Sequence, residues 1–154
     1  MSMKQAKLAR KNLDKKLTPL RDQRIVMPSR GWAKAIRESL GMTTRQLAAR
    51  MGVAPSRVTT IEKAEPAGAV TLKTLRETAE ALGCQLVYAF VPTKPLDDIL
   101  HDQAARKVRN ELSQLNHTMR LENQALTPAD LKDEEQRLLS EWLTHLNRRL
   151  WDKE

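Results

Sequence analysis

The stretch TTRQLAARMGVAPSRVTTI, residues 43–61, decides how the chain is read. Ala48, Gly52, Val58 and Ile61 stand at the spacings of two short helices meeting at a tight corner. The first helix needs a small side chain where the second passes close to it, and Ala48 supplies one. The chain must take a positive φ to leave the first helix, and Gly52 permits that. Leu47, Met51, Val53, Val58 and Ile61 then share a core face. Thr43 and Gln46 have the spacing of a capping box that opens the first helix. Pro55 stands in the first turn of the second, where its missing N–H costs nothing.

The residues left over on the second helix carry the functional reading. Pro55, Ser56, Arg57, Thr59 and Thr60 point away from the core. Short polar side chains with one long cation suit the edge of a DNA major groove. Arg57 suits either a guanine edge or a phosphate. Thr44 and Arg45 open the first helix, where side chain and helix dipole together favour phosphate. A four-helix cluster that binds only protein is the alternative reading of the same pattern.

Outward from this corner the punctuation continues. Ser29 is placed to cap a helix that stops at Gly41, and Thr71 a helix that stops at Gly83. Ile36, Leu40, Leu72, Leu75, Ala79 and Leu82 from these two helices complete the expected core. Gln85 to Val91 is rich in branched and aromatic residues and ends at Pro92, which predicts a short strand. A lone strand needs a partner, either the N-terminal region or its own copy across a dimer. Residues 3–17 read as a basic helix, and Pro19 and Pro28 make 18–28 a connector. A long helix is expected from Pro95 to Ala125. Thr127, Pro128 and Asp130 open another that carries Leu131, Leu138, Leu139, Trp142, Leu143 and Leu146, so the two form a hairpin.

The expected organisation is therefore mainly α. A basic helix and connector (1–28) precede a helix-turn-helix bundle with a short strand (29–92), and a C-terminal helical hairpin follows (93–154). Aromatic residues make up only 3% of the 154, so one large core is not expected. The net charge of +8 is unevenly spread, with +7 over residues 1–30, +3 over 31–93 and −2 over 94–154. A basic front and a mildly acidic back point to two different partners. Cys84 is the single cysteine, so no internal disulfide forms. His101, His117 and His145 lie far apart with no second cysteine, which leaves no metal site. No apolar run is long enough to span a membrane and no signal peptide is evident, so a cytoplasmic location is expected. No catalytic constellation, cofactor loop or metal cluster is recognisable, so neither enzyme activity nor a cofactor is expected.

Residues 31–83 resemble the lambda-repressor-like helix-turn-helix family. Pro55 stands where that family often has a glutamine at the front of its recognition helix, and Thr44 where another is common. Thr118, Glu122 and Asn123 form the pattern Ser/Thr-x-x-x-Glu-Gly/Asn on the long helix. Together with GWAKAIRESLGMTTRQLAARMGV, TLKTLRETAEALGCQLVYAFVP, HTMRLENQAL and the terminal RRLWD, the chain resembles the family called mobile mystery protein A. That resemblance implies a helix-turn-helix repressor encoded beside a Fic-domain protein, an enzyme class that transfers AMP from ATP to a hydroxyl. It further implies an antitoxin role, with Glu122 pairing with an arginine of the toxin and taking the place of the ATP γ-phosphate. Thr118 and Asn123 would hold the helix locally. The expected partners are operator double-stranded DNA, a Fic-domain toxin and a second copy of the chain on DNA, with no membrane. A plain repressor whose C-terminal helices only dimerise is the alternative.

Overall fold

The computed structural model describes residues 2–122, 126–144 and 148–153. Seven helices follow one another in the order α1 (Met3–Asp22), α2 (Trp32–Ser39), α3 (Thr44–Met51), α4 (Pro55–Ala64), α5 (Leu72–Ala81), α6 (Leu96–Leu121) and α7 (Pro128–Thr144). A short 3-10 turn, Arg148–Trp151, comes last. The chain divides into two units, one of residues 24–90 and one that joins residues 1–23 to 91–154.

In the unit of residues 24–90, α3 packs on α4 and on α5. Leu47, Ala48, Val58 and Leu82 are buried, with Ile36, Met42, Met51, Ala81 and Cys84 packed around them. Ala48 is only 1% exposed, so the second helix of the corner does pass close over it. Gly52 ends α3 at φ 68° and ψ 33°, and the next N–H, from Val53, donates back to the Ala48 carbonyl at 3.0 Å. That six-to-one closure needs the left-handed conformation that glycine adopts without strain. The capping box on α3 forms, with Gln46 N–H donating to Thr43 Oγ1 and Thr43 N–H donating to Gln46 Oε1. Thr71 caps α5 in the same local way.

A small apolar core is supplemented by a buried ion pair. Arg37 on α2 and Glu62 on α4 are each 7% exposed. They meet in a fork, Nε to Oε1 at 2.5 Å and Nη2 to Oε2 at 3.0 Å. The third nitrogen, Nη1, donates to the Met42 carbonyl at 2.7 Å. The hydrogen bond to Glu62 pushes the Arg37 pKa further above its already high ordinary value, so the charge is permanent.

In the other unit α1 lies on α6, and α6 on α7. Ala6, Arg10, Asp14, Leu17 and Arg21 form a half-buried stripe at helical spacing on α1. Asp14 accepts the Leu96 N–H with both carboxylate oxygens, at 3.0 and 3.1 Å. Pro95 at the N-cap of α6 has no side-chain acceptor, so α1 caps α6 from outside. Arg10 pairs with Asp97 at 2.5 Å, and Arg21 Nε donates to the Pro92 carbonyl at 2.8 Å. Leu100, Ala104 and Leu150 form the second core, flanked by Leu139, Trp142 and Leu143. Leu150 of the terminal turn is 1% exposed, and its carbonyl accepts from Gln103 Nε2 at 2.8 Å.

Four expectations are corrected. The strand over Gln85–Val91 does not form within the single chain, because the N-terminal region is helical and no described residue pairs with it. Helix α1 runs through Pro19 to Asp22 rather than yielding a connector at 18. Pro19 removes only its own bond to the Lys15 carbonyl, and the Thr18 hydroxyl beside it donates to the Asp14 carbonyl at 2.7 Å. Ser29 does not cap α2. The helix starts after Gly31, and Glu65 from beyond α4 accepts the N–H groups of Trp32 and Ala33 at 3.0 and 2.9 Å. Leu40, Val53 and Leu72 are exposed rather than in the core, since each stands at a helix end where the helical face is left.

Glu62→Ala should lower stability by about 3–5 kcal/mol, because it strands a buried guanidinium. The double change of Arg37→Met with Glu62→Leu should recover most of that loss. Urea unfolding of the three proteins measures both effects. Asp14→Ala should cost about 1 kcal/mol through the lost cap on α6, read from the same titration.

Candidate nucleic-acid interface

Helix α4 buries Val58, Ile61 and Glu62, three positions at the i, i+3, i+4 spacing of one helical face. Pro55, Ser56, Arg57, Thr59 and Thr60 are all exposed. The face expected to read DNA is thus open, and the opposite face is held by the core and by Arg37. The Thr60 hydroxyl donates to the Ser56 carbonyl at 2.9 Å, and that of Thr59 to the Pro55 carbonyl at 3.4 Å. Both oxygens keep lone pairs for accepting, and the methyl groups suit the apolar edge of thymine. Arg57 makes no ion pair among the described residues.

The start of α4 is left open as well. Ala54 at the N-cap has no side-chain acceptor, and Pro55 has no N–H to satisfy. The main-chain N–H of Ser56 is therefore an unused donor at the positive end of the helix. At the start of α3 the capping box occupies the Gln46 N–H and leaves those of Thr44 and Arg45 unused. Thr44 is half-buried and Arg45 exposed. Arg45 makes no ion pair among the described residues. Arg50, by contrast, is tied back to the fold, with Nε donating to the Ala81 carbonyl at 2.6 Å. The two helices therefore offer two cations, a set of hydroxyls and unused N–H groups in the first turn of each, which is what phosphate oxygens and base edges bind.

The second set of expected residues lies in the other unit. Thr118 is exposed near the end of α6, and its hydroxyl donates to the Gln114 carbonyl at 3.1 Å. The helix ends at Leu121, so Glu122 stands just past it as the C-cap rather than within it. Its N–H still donates to the Thr118 carbonyl at 3.2 Å, which keeps the four-residue relation of the pair. The Glu122 side chain is exposed and makes no ion pair among the described residues. Asn123 lies outside the described residues.

Reading the sequence alone missed the Ser56 N–H as a donor and the pair that supports α4 from behind. A signal for the pair exists, since Glu62 completes the core spacing of Val58 and Ile61. Arg37 stands one turn after Ala33, which is also buried. Charged residues at core positions of two neighbouring helices, opposite in sign, indicate a buried partner.

Among the described residues, no helix is long and apolar enough to cross a membrane. No curated protein and no solved structure matches the chain. Residues 34–88 match the family model described as Helix-turn-helix, of lambda-repressor-like type, a span running from α2 through α5 and into the segment beyond it. The chain thus carries a DNA-binding helix-turn-helix domain of the kind that regulates transcription.

Proposed function

We propose that the chain is an operator-binding autorepressor that reads double-stranded DNA with α4 and also restrains a Fic-domain AMP-transferase as its antitoxin. The observation that carries the first half is the exposed polar face of α4, from Pro55 to Thr60, backed by a buried one. In this reading Ser56, Arg57, Thr59 and Thr60 meet the major groove. Thr44 and Arg45 bind phosphate from the start of α3. The protein binds as a two-fold dimer, with half-sites one helical turn apart.

Glu122 supports the second half. A carboxylate at the C-terminal end of a 26-residue helix faces the negative end of the helix dipole, so its own helix gives it no stabilisation. An arginine presented by a partner would supply the missing charge in a strong, charge-assisted contact. In the resembled family that arginine belongs to the nucleotide site, and the glutamate occupies the place of the γ-phosphate. ATP then cannot adopt the pose from which AMP is transferred. Affinity for the toxin comes from apolar surface of the C-terminal unit, where Leu115 and Leu121 are exposed.

Arg57→Ala should weaken binding to a duplex selected from a random pool by about 1–3 kcal/mol, roughly five- to 150-fold. Binding to a scrambled duplex should fall much less. Arg45→Ala should weaken both alike and flatten the salt dependence by about one charge. Titration of each duplex at several salt concentrations separates the two roles, and an equal loss for Arg57→Ala would reassign it to the backbone.

Glu122→Gly should release AMP transfer by the Fic-domain protein encoded beside the chain while leaving the complex assembled in a pull-down. Arg57→Ala should do the opposite, weakening repression and sparing inhibition. Full inhibition by the Glu122→Gly protein would reject the antitoxin mechanism and leave a plain repressor.

A further inference from the structure

The segment that follows α5 has features that neither the DNA-reading face nor the Glu122 site uses. From Cys84 to Pro92 the chain contains no helix, turn or bend. Among the described residues, no backbone N–H of residues 85–91 donates to another main-chain or side-chain group, and none of their carbonyls accepts. The side chains are open too, with Phe90 92%, Val87 75% and Tyr88 62% exposed. An unpaired backbone carrying branched and aromatic residues is a template for strand addition.

Charge indicates the occupant. Residues 81–93 form the longest uncharged stretch of a chain whose net charge is +8. A strongly basic protein meets its own copy at least cost where neither surface carries charge. The same absence of cations makes the stretch a poor ligand for DNA phosphate. We infer that residues 85–91 pair with the same residues of a second copy, forming an antiparallel two-stranded ribbon that holds the repressor dimer together. This rests on the dimeric repressor reading and adds the surface and register on which it depends.

A two-fold pairing that uses all seven residues centres on Tyr88. Tyr88 then faces its counterpart, and Leu86 faces the second copy's Phe90. Leu86, Tyr88 and Phe90 fall on one face of the ribbon, so the aromatic rings of both copies gather on a single side. Pro92 closes the ladder, having no N–H to donate. Because the ribbon follows directly on α5, pairing here also fixes the distance between the two DNA-reading helices.

Two variants test the inference by sedimentation at micromolar concentration, with and without the selected duplex. Tyr88→Lys puts like charges directly opposite each other across the two-fold, and Val87→Pro removes an N–H and obstructs the ladder. Each should raise the dimer dissociation constant about tenfold or more. Helical circular dichroism should stay unchanged, and so should the urea midpoint at a concentration low enough that the wild type is monomeric, since both side chains are exposed in the single chain. In a Cys84→Ala background, Tyr88→Cys should oxidise to a disulfide-linked pair of copies, whereas Leu8→Cys should not. Dimers that persist at wild-type strength in both variants would overturn the ribbon while keeping a dimeric repressor. A wild-type chain that stays monomeric on the duplex would overturn both.

Discussion

The fork between Arg37 and Glu62 is the constraint on which the DNA-reading unit depends. One guanidinium binds the carboxylate of α4 with two nitrogens and the Met42 carbonyl with the third. It therefore fixes α2, the turn into α3 and the helix that carries Arg57 in a single contact. The apolar core beside it is modest, with Leu47 and Val58 its largest fully buried side chains. A core of that size resists separation but specifies direction poorly, because apolar contact is non-directional. A bidentate ion pair is directional. Its net contribution to stability is small once desolvation is counted, and its main effect is on geometry. For a helix whose outer face is proposed to meet base edges, orientation matters more than additional stability.

The same principle recurs in the helix caps. Thr43, Thr71 and Thr127 cap their own helices from within three residues, so their roles are legible in the sequence. Two other helix starts are capped from far away. Glu65 serves α2, and Asp14 serves α6. Gly31 shows how close the first of these approaches is, since a Cβ there would lie 2.7 Å from Glu65 Oε2. With φ at 84° any side chain there is strained, and its Cβ would push Glu65 off the N–H groups it caps. A carboxylate dozens of residues from the N–H it accepts leaves no local pattern, so Ser29 is the natural misreading for α2.

The helix-turn-helix corner was almost fully legible because its determinants are local. Ala48, Gly52, Pro55 and the spacing of Val58 and Ile61 each act within one or two turns, and the outward set from Pro55 to Thr60 follows by subtraction. The misreadings arise where a long-range partner decides. Gln85–Val91 has strand composition, but a strand exists only with a neighbour, and a single chain provides none. Pro19 usually marks a helix end, yet the helix continues because Arg21 is held by Pro92 and Asp14 by the start of α6. Leu150 sits among charged residues near the terminus, and only the packing of α6 and α7 gives it a place to be buried.

The two candidate sites differ in how the fold treats their charges. Around α4 the Glu62 carboxylate is neutralised behind the helix and Arg50 is tied back to the Ala81 carbonyl. The exposed cations Arg45 and Arg57 lie near helix starts, so the field of the peptide dipoles and that of these side chains add toward an anion. At the end of α6 the arrangement is reversed. Glu122 adds a negative charge to the negative end of a long helix, a placement that local stability opposes. Sequences depart from such local preferences chiefly where function requires it. The departure at Glu122 thus has the sign needed to attract a cation, just as the start of α4 has the sign needed to attract phosphate. In the proposed reading the two units thus present opposite charges at their candidate sites, which suits partners of opposite kinds.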